Sequence, residues 1–333
     1  MSRVLALLLL VAMVGTSAPV APSGAAPVDA CVVIDTDVDI DDVMAIPAVV
    51  GARHVAAVVT TEGFTLPGPG AATVEGLLAD PGQRRIPVIV GAGIGRDESD
   101  IARTFGEFVL VFRALMNRLN NFWTAPPPPV PGTARYVDRI VDATAGCRTV
   151  DVLLIGGYTS FVEYSPAIRD RIGRVLITGR PPHGDPELEV AAESFNCLYD
   201  HLSCERVFYG QLPGLDHSFV DVPRTGCDLT PNDSGCAGTV YGPTLAMVRA
   251  LGPAGLSDTL KRVLLNHPNS WAIDTWEHSG YGGRSLFWDQ STALALLDPA
   301  LFAPVGAHLE TTLSPEDFQR KWVEFTDLSA VYA

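Results

Sequence analysis

Val33-Ile34-Asp35-Thr36-Asp37-Val38-Asp39-Ile40-Asp41-Asp42-Val43-Met44-Ala45-Ile46 joins a buried-type apolar run to a second apolar run through a loop with five carboxylates in eight residues. Carboxylates this crowded repel one another unless a cation or bound protons compensate. The loop contains no His or Cys, and an all-oxygen donor set selects Ca²⁺ or Mg²⁺ over Zn²⁺. The simpler reading is that Asp39, Asp41 and Asp42 cap the following helix, but a cap requires one Asp and not five. An EF-hand register beginning at Asp35 fails, because it needs Gly at its sixth position and Glu at its twelfth, where Ile40 and Ile46 stand.

The apolar run before this loop is the first of a series. Cys31 to Ile34, His54 to Thr60, Arg85 to Gly91, Val150 to Ile155 and Arg174 to Ile177 are each followed by Gly, Asp or Thr and then a helix-like stretch. Strands buried on both faces and alternating with helices define an α/β fold, a doubly wound and mostly parallel sheet flanked by helices. Ligands of such sheets bind beyond the carboxyl ends of the strands. The acidic loop, Gly156-Gly157-Tyr158-Thr159 and the residues after Ile177 therefore face one crevice. Ser257 to Leu265 and Ser291 to Leu297 read as helices of the same domain.

Upstream of this domain, Met1-Ser2-Arg3 precedes eleven apolar residues, Val4 to Val14, and then Gly15-Thr16-Ser17-Ala18. That order predicts a signal peptide over 1–18 with cleavage between 18 and 30, and the run is too short to span a bilayer. A Pro/Ala/Gly-rich disordered lead is expected over 19–30, followed by one domain over 31–330 with insertions near 123–131 and 213–243. The first insertion carries Pro126-Pro127-Pro128-Pro129, which cannot sit inside a sheet.

The net charge of −15, with lysine only at 261 and 321, excludes a nucleic-acid or anionic-membrane surface, which needs clustered Lys and Arg. The expected location is secreted or extracellular. There, six cysteines without a Cys-x-x-Cys pair read as disulfides. Cys197 with Cys204 and Cys227 with Cys236 are short-range candidates. Cys31 and Cys147 can meet if the strands they precede are neighbours, although six cysteines allow fifteen pairings.

The motif blocks, in order, resemble those of the nucleoside hydrolases. Val33 to Asp37 followed by Asp41-Asp42 is similar to the family's N-terminal signature. Val58-Val59-Thr60-Thr61 and Ile86-Pro87-Val88 to Gly91-Ala92 are similar to its second and third strands. Leu154 to Ser160 resembles its Gly-Pro-Leu-Thr-Asn turn, Ala192-Glu193-Ser194-Phe195-Asn196 its Ala-Glu-Phe-Asn block, and Trp288-Asp289 its late metal-binding Asp. The resemblance implies Ca²⁺ held by Asp37, Asp42, Asp289 and the carbonyl of Ile155, with Asp37 as general base toward metal-activated water. It implies that Asp41, Glu193 and Asn196 hold ribose hydroxyls, with inversion at C1′. Trp288 stands where a purine-preferring subgroup carries the Trp that stacks on the base. The implied ligand is thus a small nucleoside, purine for preference, taken up in salvage outside the cell; relatives of this type commonly form homo-oligomers.

Alternatives remain open at this stage. Asp35 or Asp37 would suit a Mg²⁺-dependent phosphatase as nucleophile, although two late lysines offer little for a phosphoryl group. A non-catalytic ribosyl-binding protein or a structural Ca²⁺ protein would use the same loop. The sequence departs from the family pattern where Val38-Asp39 replaces Pro-Gly, where Glu62-Gly63-Phe64 stands for an expected Asn, where Gly156-Gly157-Tyr158-Thr159-Ser160 replaces Gly-Pro-Leu-Thr-Asn, and from Gly95 to Trp123, which lacks the His-Gly-rich loop near the base.

Overall fold

The computed structural model describes residues 28–79, 85–117, 133–181, 194–223, 241–242, 244–266, 269–278 and 289–330. The signal segment 1–18, the insertion at 123–131, Cys227, Cys236, Glu193 and Trp288 lie outside the described residues. Among those described, no helix is long and apolar enough to cross a membrane.

Eight strands form one sheet: β1 (Val28–Thr36), β2 (Val55–Thr60), β3 (Val88–Val90), β4 (Cys147–Leu154), β5 (Ile172–Thr178), β6 (His217–Asp221), β7 (Phe302–Val305) and β8 (His308–Thr311), in the order β3-β2-β1-β4-β5-β6-β8-β7. Every neighbouring pair is parallel except β7 with β8, so the expected doubly wound, mostly parallel α/β sheet is found. The chain winds outward from β1 to β3 on one side and from β4 to β6 on the other. That puts the reversal of strand order, where ligands bind in such sheets, between β1 and β4.

Alternate residues of β1 serve two cores. Val32 and Ile34 join the cluster on one face, Cys31 and Val33 the cluster on the other. This is why the run is apolar at every position. The helix Ile40–Ala52 is also apolar nearly all round, since it packs against the helices Asp289–Leu297 and Pro315–Asp327 and shares one core with Val32 and Ile34 of β1. The indole N–H of Trp322 donates to the carbonyl of Met44 at 3.0 Å and locks that packing.

Cys31 bonds to Cys147 across β1 and β4, and Cys197 to Cys204, as expected for both pairs. Two boundaries differ from the sequence reading. β1 begins at Val28, ahead of Cys31, because Val28 donates to the carbonyl of Gly146 and pairs with Cys147. Residues 217–221, inside the stretch 213–243 read as an insertion, form β6 between β5 and β8. Its sequence His-Ser-Phe-Val-Asp carries too few apolar residues to announce a strand, and only its last three are buried.

Candidate metal centre and active site

Asp37 emerges just past the carboxyl end of β1, at the reversal of strand order. Its Oδ2 accepts the backbone N–H of Phe64 at 2.7 Å, and its carbonyl accepts that of Thr65 at 3.1 Å. Two glycines make room for it. A β-carbon on Gly63 would stand 2.1 Å from Asp37 Oδ2, and one on Gly156 would stand 2.4 Å from the Asp37 nitrogen. The next residue, Val38, has φ +57°, a left-handed conformation costing a β-branched residue about 1–2 kcal/mol. It is held there by Thr65 Oγ1, which donates to its carbonyl at 2.9 Å, and by Thr36 Oγ1, which accepts from its nitrogen at 3.1 Å. Strain of this kind persists where the surroundings fix a functional loop.

The rest of the acidic loop both caps the helix and crowds charge. Asp39 is the N-cap, and Asp42 completes a capping box by accepting from the Asp39 nitrogen at 3.0 Å. The Thr36 hydroxyl donates to the other oxygen of Asp42. Asp41 accepts the N–H of Asp289 at 3.2 Å across 248 positions, and Asp289 is oriented by the Thr178 hydroxyl at 2.7 Å, from the end of β5. Carboxylate oxygens of Asp41, Asp42 and Asp289 lie within 4.8 Å of one another, and Asp37 interacts electrostatically with both Asp41 and Asp42. All four are buried.

Burial dominates their titration. It raises the carboxyl of Asp37 to about 6 against the opposing Phe64 N–H, Asp42 and the charge of Arg113. It raises Asp41 to about 7, with the charge of Asp37 adding and the Asp289 N–H opposing. Asp42 and Asp289 are pushed well above the usual range by burial and by neighbouring carboxylates. Nearby Asp35, wholly buried, is lifted to about 8 by burial although the Thr61 hydroxyl donates to it at 2.5 Å. An all-oxygen, mutually repelling, desolvated set of carboxylates fits the divalent cation that the sequence implies.

The remaining expected residues divide. Ile155 and Asn196 are brought together: the side-chain amide of Asn196 donates to the carbonyl of Ile155 at 2.7 Å, leaving that oxygen one further lone pair. Asn196 thus braces the turn after β4. Glu193 and Trp288 lie outside the described residues. Sequence reasoning missed a buried block beside the acidic loop. Glu62, in the turn that bears Gly63 and Phe64, accepts from Arg113 Nη2 at 2.9 Å, Tyr199 OH at 2.8 Å and the Gly95 nitrogen at 2.7 Å. The available signal was the lone Arg in the apolar helix Glu107–Met116.

The sheet order and the carboxylates at its reversal define an α/β fold with a buried acidic cluster. No family model and no curated protein matches this sequence. Solved structures do match. An inosine-uridine preferring nucleoside hydrolase from Bacillus anthracis is 13% identical at a TM-score of 0.55, covering 90% of this chain and 99% of that one. A purine-preferring ribonucleoside hydrolase from Gardnerella vaginalis is 15% identical at 0.55, with the same coverage of both chains. A plant nucleoside hydrolase is 17% identical at 0.57, covering 89% of this chain and 98% of that one. The chain therefore has the nucleoside hydrolase fold.

Proposed function

We propose that this chain is an exported N-ribosyl hydrolase that cleaves the glycosidic bond of ribonucleosides, purine for preference, with Ca²⁺ bound. The observation that carries this reading is the burial of Asp37, Asp41, Asp42 and Asp289 together at the reversal of strand order, on the fold shared with nucleoside hydrolases. Two disulfides among the described residues suit the oxidising compartment that export implies.

Asp42 and Asp289, whose carboxylate oxygens lie within 4.8 Å of each other and of Asp41, would hold the ion together with Asp37 and the carbonyl of Ile155. A divalent cation there would neutralise the carboxylates and supply water of lowered pKa. Asp37 acts as general base. The Phe64 N–H on Oδ2 orients this carboxylate for taking a proton from water attacking C1′. Asp41, Asn196 and Glu193 grip the ribose hydroxyls, contacts that strengthen as the sugar becomes oxocarbenium-like. Trp288 stacks on the purine. Attack by water without a covalent sugar intermediate inverts C1′.

The test is release of free base from inosine, adenosine, guanosine and uridine by the mature chain, with Ca²⁺ and with a chelator, monitoring inorganic phosphate from phosphate monoesters in parallel. Chelator-sensitive base release, greater for the purines, is expected. Phosphate release, or nucleoside binding without turnover, would replace this reading by a phosphatase or a ribosyl-binding protein.

A further inference from the structure

Arg113 is the one arginine among the buried described residues, and its partner Glu62 opens the turn whose next two residues touch Asp37. A guanidinium is never neutral in a protein, so this cation competes with any metal for the same negative charge. Yet its hydrogen bonds run elsewhere. Nη2 meets Glu62 at 2.9 Å, Nη1 meets the Tyr199 hydroxyl, and the guanidinium carbon lies 5.7 Å over the Tyr199 ring.

Glu62 is saturated in return. Besides Arg113, its two oxygens accept from Tyr199 OH at 2.8 Å, the Gly95 nitrogen at 2.7 Å and the Arg96 nitrogen at 3.3 Å. Those hydrogen bonds outweigh the upward push of burial and hold its carboxyl below the ordinary range, so it stays charged. Its backbone leads directly into Gly63, which packs on Asp37 Oδ2, and Phe64, which donates to it. Breaking a buried ion pair leaves an uncompensated charge, which must find another partner or be expelled.

We infer that Glu62 is a positioning residue that keeps the Arg113 cation out of the Asp37–Asp41–Asp42–Asp289 centre, so that the centre stays available to a divalent ion. This rests on the metal half of the proposed function. Without the Glu62 charge, Arg113 turns to Asp37 and occupies the centre as an internal counter-ion.

The experiment is calorimetric titration of Ca²⁺ into the metal-free mature chain for wild type, E62Q, R113M and E62Q/R113M, each first checked for folding by circular dichroism. E62Q is expected to bind Ca²⁺ at least tenfold more weakly, R113M no more weakly than wild type, and the double variant within threefold of wild type. Rescue by the second substitution separates this role from a structural one, because the double variant has lost more hydrogen bonds than either single. E62Q binding as tightly as wild type, or a double variant as weak as E62Q, would overturn the inference. Should E62Q not fold, the double variant decides: wild-type affinity means Glu62 is needed only against Arg113, and weakened affinity means it serves the loop directly and the inference is wrong. A wild-type chain that binds no Ca²⁺ would sink the metal reading and this inference together.

Discussion

Gly63 and Asp37 share one space: the carboxylate of Asp37 fills the position that a side chain at residue 63 would take, 2.1 Å from its β-carbon site. Alanine there must push Asp37 aside, and a displacement of about 1 Å at a catalytic group costs about 10²-fold in rate. Gly63→Ala is therefore expected to lower kcat by about that factor while leaving far-ultraviolet circular dichroism unchanged. Single-turnover base release measures it, and a kcat within threefold of wild type would remove Asp37 from the chemistry.

Asp37→Asn preserves the shape of the side chain and its contact with the Phe64 N–H, through the amide oxygen, but can no longer accept a proton. A general base contributes about 10²–10⁴-fold, so kcat is expected to fall by that range. Asp289→Ala is expected to abolish turnover for a different reason, by weakening metal binding, and calorimetry tells the two apart. Full activity of the Asp37 variant would require a different general base, and full activity of the Asp289 variant would remove Asp289 from the metal site.

Without a bound cation, stability is expected to depend on pH. Asp37, Asp41 and Asp35 have folded-state values of about 6, 7 and 8, above the ordinary carboxylate value of 3.8. The unfolded chain releases these protons first, so their contribution is complete below about pH 4 and is lost as pH rises toward 8. In chelator, the melting temperature is expected to decline over that window, and the Ca²⁺-induced rise in Tm is expected to be larger at pH 8 than at pH 5. A Ca²⁺ shift that is the same at both pH values would mean that the ion does not relieve these carboxylates.

The Cys31–Cys147 bond closes a separation of 116 residues, whereas Cys197–Cys204 closes one of 7. Chain entropy in the unfolded state makes the longer closure worth more, about 4–5 kcal/mol against about 2–3 kcal/mol. Replacing Cys31 and Cys147 by Ala is accordingly expected to lower the urea midpoint more than replacing Cys197 and Cys204. Equal effects would show that native packing around each bridge, not loop length, sets its contribution.

For Trp288, stacking on a base is worth about 1–3 kcal/mol. Trp288→Ala should raise KM for inosine and guanosine by about 5–150-fold and for uridine less. Equal increases for purines and uridine would place Trp288 away from the base.

Much of this protein is legible without a structure because its chemistry is local. The runs ending at Ile34, Thr60, Ile155 and Ile177 are apolar at nearly every position, and only a strand covered on both faces needs that. The acidic loop announces itself because crowded carboxylates directly after such a strand demand compensation. Resemblance, not spacing, linked Asp289 to that loop. Tertiary structure decided the rest. β6 is too polar to stand out, and forms because β5 and β8 offer it partners on both sides. Glu62 and Arg113 are 51 positions apart, and neither neighbourhood predicts the other. Asp41 and Asp289 meet across 248 positions through the packing of the helices Ile40–Ala52 and Asp289–Leu297 beside β5. Local sequence specifies which segments must be buried and where charge accumulates. Which charges share a buried volume depends on how the crossovers stack those segments, and that is a property of the whole chain.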